Sequence, residues 1–379
     1  MIYLDNAATT RPQAYALADA EPFIQDSFYN PSALYRGGFG VHKSLETARE
    51  DILRVLGAGE GYELVFTGTG TEADNQTLFS CARRGNLVIS GGEHPAVYEC
   101  AKELSLRGIE VRTAKLNRDG SVNEEDLLSL VDEKTKLVSV IHVSNETGAV
   151  NDIGRLSMLV KRINPSARFH SDGVQAFGKV PYTLSGVDYY VICAHKIGGV
   201  RGAAALVRKK DAPLKPLMYG GGQEAGARSG TENTFAIEAF RSAAVYRHAN
   251  RERLFACAKR SNAYMREHLD PAVYTVLSGE NASPYILSVS AENLRGEVLQ
   301  HMADDKGVVV GTGSACSSKK KGSRVLTAAG VPVCLLGGVL RISFLGEETE
   351  SEIREACDVL NDCGRELWDK VGNNRGNHG

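Results

Sequence analysis

The strongest constraint in this chain is a unit repeated between residues 60 and 210. Each time, a short apolar, β-branched run stops at Gly, Ser, Asn, Asp or His, and a helix-like stretch often follows. The runs cover residues 63–66, 87–90 and 137–143, ending respectively at Thr67-Gly68, at Gly91-Gly92-Glu93-His94 and at Ser144-Asn145. Further runs at 168–170 and 189–193 end at Ser171-Asp172-Gly173 and at Ala194-His195-Lys196, and a sixth, 203–207, follows glycines at 198, 199 and 202. Strands that are apolar throughout, separated by helices, predict an α/β fold whose mainly parallel sheet is covered on both faces. Ligands of such sheets bind beyond the carboxyl ends of the strands, where the polar residues just named fall.

Past residue 245 the pattern changes. Residues 247–269 read as one long charged helix, 285–290 and 308–310 as strands, and 350–371 as a last helix. We expect a large domain over 15–244 and a smaller α+β domain built from 1–14 and 245–379. The chain has 379 residues, 44 Lys plus Arg against 46 Asp plus Glu, and so no basic excess that would suit a nucleic-acid binder. Its eight cysteines show neither Cys-x-x-Cys pairs nor zinc spacing, which predicts reduced thiols and no metal site. The N-terminus has no signal-like apolar core and no stretch is apolar enough to span a membrane, so the expectation is a cytoplasmic protein.

Within this frame a few residues carry chemistry. Gly68-Thr69-Gly70-Thr71-Glu72-Ala73 follows a strand and opens a helix, a place where backbone N–H groups can receive a phosphate. The same residues match the dinucleotide fingerprint, with Glu93 placed as a ribose ligand would be, and a tight turn capped by Thr71 explains them equally well. Lys196 lies at the mouth of the sheet, where a desolvated amine can form a Schiff base, although a lysine in isolation is most often a surface charge. Asp172 can keep a pyridinium nitrogen protonated or merely close an Asx turn before Gly173. His94 and Asn145 close two more strands. Phosphate loop, lysine, aspartate and histidine at neighbouring strand ends together describe a pyridoxal phosphate site, for which a nicotinamide enzyme would have no use. The glycine-rich stretch 220–233 could bring Arg228 and Thr231 to an anion, and Cys316, in a small polar loop before three lysines, is the best nucleophile of the eight cysteines.

These residues, with motifs at 3–10, 30–32, 93–97, 145–148, 172–175, 194–196, 220–224, 228–233 and 313–318, resemble the cysteine desulfurases of the NifS/IscS type, within the class V aminotransferases. The resemblance implies a fold-type-I homodimer with a seven-stranded sheet in its large domain. It implies pyridoxal 5'-phosphate in Schiff-base linkage to Lys196, Asp172 on the pyridine nitrogen, Gln175 near the ring hydroxyl and His94 stacked on the ring. Gly70, Thr71, His195 and, across the subunit boundary, Thr231 would hold the phosphate, with Cys193 beside it. Asn145 and Arg341 would receive the carboxylate of L-cysteine. Cys316 would take the sulfur as a persulfide and pass it to an acceptor protein for iron–sulfur cluster assembly or thiolation of tRNA or a cofactor, and His94 would act as general acid or base. Against the family pattern, Cys193 replaces a serine, Gly198 and Val200 alter the loop after Lys196, Ala225 replaces an arginine, Tyr35 replaces a histidine, and Arg341 to Gly346 runs one residue long. A selenocysteine lyase, a cysteine sulfinate desulfinase and a non-catalytic sulfur-relay scaffold remain the alternatives.

Overall fold

The computed structural model describes residues 1–82, 84–313 and 322–376. The chain opens with strand β1 (Ile2–Leu4). Seven strands follow: β2 (Tyr62–Thr67), β3 (Asn86–Ser90), β4 (Glu110–Ala114), β5 (Thr135–Ser139), β6 (Arg168–Asp172), β7 (Tyr189–Cys193) and β8 (Ala204–Lys209). The last third adds β9 (Tyr274–Val276), β10 (Ile286–Ala291), β11 (Val308–Thr312) and β12 (Val339–Ser343).

Strands β2 to β8 form one sheet in the order β2-β8-β7-β6-β5-β3-β4, parallel except for β8, which runs antiparallel to both neighbours. This is the mainly parallel seven-stranded sheet anticipated. The apolar runs are continuous because both faces are buried. Leu87 and Ile89 pack with Val97 and Leu104 of the helix Pro95–Leu106, while Val88 and Val138 pack with Leu156 and Val160 on the opposite face. Strand β4 escapes a search for apolar runs because Glu-Val-Arg-Thr-Ala sits at the sheet edge, with its first four residues partly or fully exposed.

The second sheet has the order β1-β11-β12-β10-β9. Its first strand comes from the N-terminus, with Ile2, Tyr3 and Leu4 opposite Val308, Val309 and Val310 in parallel register. The helix expected over 247–269 is instead two helices, Thr234–Ala249 and Arg251–His268, because the chain leaves helical geometry at Asn250 (φ −109°, ψ 10°). The break lets the first helix bury Ala236, Phe240 and Ala243 in the core of the large sheet while the second buries Ala258 and Met265 under the small one. The final helix is Glu350–Gly376, longer than expected.

Arg247, 2% exposed, joins the two packing units. Its Nε donates to Gly178 O at 2.9 Å, Nη1 donates to Leu345 O at 3.1 Å, and the guanidinium lies 5.4 Å from the ring centre of Tyr285. Arg247→Met keeps the aliphatic stem but takes the donor from two partly buried carbonyls, so it should lower stability by roughly 1–3 kcal/mol, seen as a lower urea midpoint.

Candidate active site

The strand ends of the large sheet converge with the N-terminal segment and β12 on a cavity of about 370 Å³. It is lined by Gly70, Thr71, His94, Asn145, Asp172, Gln175, Cys193, His195, Lys196 and Arg341, which are all but two of the predicted site residues. Thr231 is the first exception. It borders a neighbouring hollow with Gly68, Arg228 and Asn233. Cys316 is the second, because it lies outside the described residues. A larger cavity of about 570 Å³, next to Phe177 and Phe255, contains none of the predicted residues.

The helix Gly70–Cys81 begins directly after β2, and its N-cap is Thr69, whose hydroxyl accepts from Glu72 N, rather than Thr71. A side chain at Gly70 would come within 3.2 Å of Val174 Cγ2, so glycine keeps the turn close to β6. The Glu72 carboxylate accepts from Gly68 N at 2.8 Å and from Arg228 Nε at 2.9 Å. The glycine-rich stretch therefore delivers Arg228 to a carboxylate and not to a free anion. Gly70 and Thr71 are left at the positive end of the helix, facing the cavity.

Glu93 is not placed to touch a ribose. It is fully buried, with Oε1 accepting from Ser90 Oγ at 2.6 Å and Ile141 N at 2.7 Å, and burial pushes its carboxyl up to about 7. The dinucleotide alternative loses its ribose contact. His94 caps the helix Pro95–Leu106 by accepting from Ala96 N at Nδ1. Burial lowers its basicity, so the neutral ring carries its proton on Nε2, as a donor. Asp172 does close the Asx turn, accepting from Val174 N at 2.9 Å, and still lines the cavity.

Lys196 follows β7 in the 3₁₀ turn Ala194–Lys196. Its Nζ donates to the carbonyls of Ala7 and Ala8, each at 2.6 Å, and burial, aided by Arg341, lowers its basicity. Gln175 Nε2 also donates to Ala7 O, while its Oε1 accepts from the buried Lys179. His195 Nδ1 lies 3.1 Å from Thr9 Oγ1, and burial takes the imidazole down to about 4. Cys193 is 2% exposed, and burial pushes its thiol up to about 12, so it is a packing group and no nucleophile. Arg341 pairs with Asp5 at 2.8 Å and donates to Asn145 O at 3.0 Å, and its buried Nε has no partner among the described residues.

Sequence reasoning missed Ala7 and Ala8, which act through backbone carbonyls and carry no side-chain signal. It also missed Asp5, which lies in a motif noted only for its resemblance, and Asp74, an acid inside a helical stretch. The residues present fit pyridoxal 5'-phosphate. A helix N-terminus, an amine with no carboxylate partner among the described residues and a buried acid face one cavity, which lies in the size range of small-molecule sites.

This combination of sheet order and site belongs to the fold-type-I pyridoxal phosphate enzymes. The chain belongs to the class V aminotransferase family, whose model matches residues 2–355. It is 33% identical to a protein named cysteine desulfurase IscS from Dictyoglomus turgidum, over 95% of this chain and 93% of that protein. A solved NifS-like protein superposes with a TM-score of 0.90 at 32% identity, over 95% and 98% of the two chains. A structure described as SspA in complex with cysteine superposes with a TM-score of 0.80 at 27% identity, over 92% and 100%. Among the described residues no helix is long and apolar enough to cross a membrane.

His142, next to the site at 2% exposure, holds Tyr190 Oη at 2.8 Å from Nδ1, and burial takes its ring down to about 4 from 6.5. A depressed basicity means that its stabilising effect is complete above pH 6.5 and is lost as pH falls through 4. The gap in stability between wild type and His142→Asn should therefore narrow by about 3 kcal/mol on acidification across that window, measured by urea unfolding at a series of pH values.

Proposed function

We propose that this protein is a cytoplasmic, homodimeric cysteine desulfurase that uses pyridoxal 5'-phosphate to convert L-cysteine to L-alanine. Its sulfur would leave as a persulfide on Cys316 and pass to an acceptor protein for iron–sulfur cluster assembly or thiolation of tRNA or a cofactor. The observation that carries this reading is the partly buried Lys196 amine in one cavity with Asp172 and the helix N-terminus at Gly70 and Thr71.

The cofactor, when bound, supplies an electron sink for the α-carbon of an amino acid. Gly70, Thr71 and His195 would hold its phosphate, Asp172 its ring nitrogen, Gln175 its ring hydroxyl and His94 its ring. Cys193 lies beside them as a neutral wall. Lys196, kept less basic than a free amine, can take the α-proton of the substrate and return a proton later. Asn145 and Arg341 would bind the substrate carboxylate, and the unpartnered Nε of Arg341 gives that anion a donor. Cys316 would attack the substrate sulfur as a thiolate, forming an S–S bond as the substrate's Cβ–S bond breaks. Protonation of that carbon completes alanine.

Two observations support the assembly. The solved neighbour described with cysteine favours that amino acid as substrate. An exposed aromatic group, in which Phe28 stacks on Tyr29 at 4.7 Å and Tyr29 meets Tyr35 edge-on, lies beside the fully exposed Leu34 in sequence and suits a subunit interface. Across such an interface Thr231 could serve the other subunit's phosphate site.

Lys196→Ala should abolish the visible absorbance of the bound cofactor, whereas Cys316→Ala should retain it and lose sulfide release from L-cysteine. Full sulfide release by Cys316→Ala would sink the sulfur assignment. Arg341→Gln should raise KM for L-cysteine at least about tenfold, the size of one lost charge-assisted contact, in an assay of alanine formation. Rates on L-cysteine, selenocysteine and cysteine sulfinate separate the desulfurase from its near relatives.

A further inference from the structure

Two acids line the cavity. Asp74 lies in the second turn of the helix Gly70–Cys81 and Asp172 ends β6, and they are 1% and 5% exposed. Among the described residues no lysine or arginine pairs with Asp74. Its Oδ1 lies 3.2 Å from His170 Nε2, and among the described residues neither buried atom has a hydrogen-bond partner. On the far side of the ring, His170 Nδ1 lies 2.8 Å from Ser139 Oγ on β5. The remaining groups facing the pair are Glu93 after β3, Cys100 on the helix Pro95–Leu106 and Asp172 on β6, with His94 and Lys196 across the cavity.

An ionised Asp74 would set a second carboxylate charge near Asp172 in a place that water barely reaches, and both desolvation and like charge oppose that. Burial first, and Asp172 second, push the Asp74 carboxyl well above the ordinary carboxylate range. Burial takes His170 down to about 4. A stable ion pair would move the two groups the other way.

We propose that Asp74 is a positioning residue: its carboxyl group keeps a proton, donates it in a hydrogen bond to His170 Nε2, and so places no negative charge beside Asp172. His170 then carries its own proton on Nδ1 and donates to Ser139 Oγ, which fixes the tautomer of a fully buried ring. The consequence rests on the cofactor reading above, in which Asp172 is the acid that keeps a pyridine nitrogen protonated. The proton on Asp74 does not depend on that reading.

Infrared difference spectra of wild type against Asp74→Asn test the proton directly. At neutral pH they should contain the C=O stretch of a protonated carboxylic acid, shifting in D₂O and persisting in a Glu93→Gln background, which excludes Glu93 as its source. In the cofactor-loaded protein, Asp74→Asn remains neutral and keeps an N–H donor for His170. It should therefore move the pH midpoint of the visible band by less than about half a unit, whereas Asp172→Asn should move it by more than about one. A wild-type spectrum without the protonated-carboxyl band, or a larger midpoint shift in Asp74→Asn, overturns the proposal. If no visible band forms at all, the cofactor reading fails, and the infrared spectra alone decide the proton.

Discussion

The cavity depends on how the first ten residues cross between the two sheets. Strand β1 is fastened to β11, more than three hundred positions away in sequence, and Asp5 pairs with Arg341 one step further on. The chain then lays the carbonyls of Ala7 and Ala8 over Lys196 and Gln175, and Thr10 Oγ1 donates to His195 O. The partly buried Lys196 amine needs acceptors, and the Ala7 and Ala8 carbonyls supply them. Loss of this crossing would free Lys196 and Arg341 at once, which makes the N-terminal segment part of the site although none of its side chains suggests chemistry.

Burial sets the electrostatics of the site more than charge pairing does. Lys196, His94 and His195 are all made less basic by desolvation, while Asp74, Glu93 and Cys193 are made harder to ionise. Neutral forms are thereby favoured for groups that must exchange protons or stay inert. Ion pairs join Arg341 with Asp5 and Arg228 with Glu72. A pocket of this kind is suited to a charged cofactor that brings its own phosphate and ring to the donors waiting for them.

The parts legible before the structure share a physical cause. Strands β3, β5 and β7 announce themselves because a sheet buried on both faces needs an apolar residue at every position, and the polar residue that ends each run must lie at the strand end. Strand β4 and the break at Asn250 were not legible, since an edge strand has no such requirement and both halves of the broken helix are helical in sequence. Glu93 illustrates the limit in another way. Its position after a strand suits a ribose ligand, yet the side chain is fully buried, with Oε1 accepting from Ser90 Oγ and Ile141 N.

By itself, then, the sequence determined the α/β class, the strand ends and the residue types at those ends, because periodicity and termination are local properties. It also singled out Lys196 and Asp172 as one chemical set. Tertiary structure decided which groups are available to react. It placed Thr231 and Arg228 outside the cavity, enclosed Glu93 and Cys193, brought the Ala7 and Ala8 carbonyls to Lys196, and set Asp74 against His170. Hydrogen-bond partners and desolvation arise from residues far apart in the chain, and no local pattern can encode them.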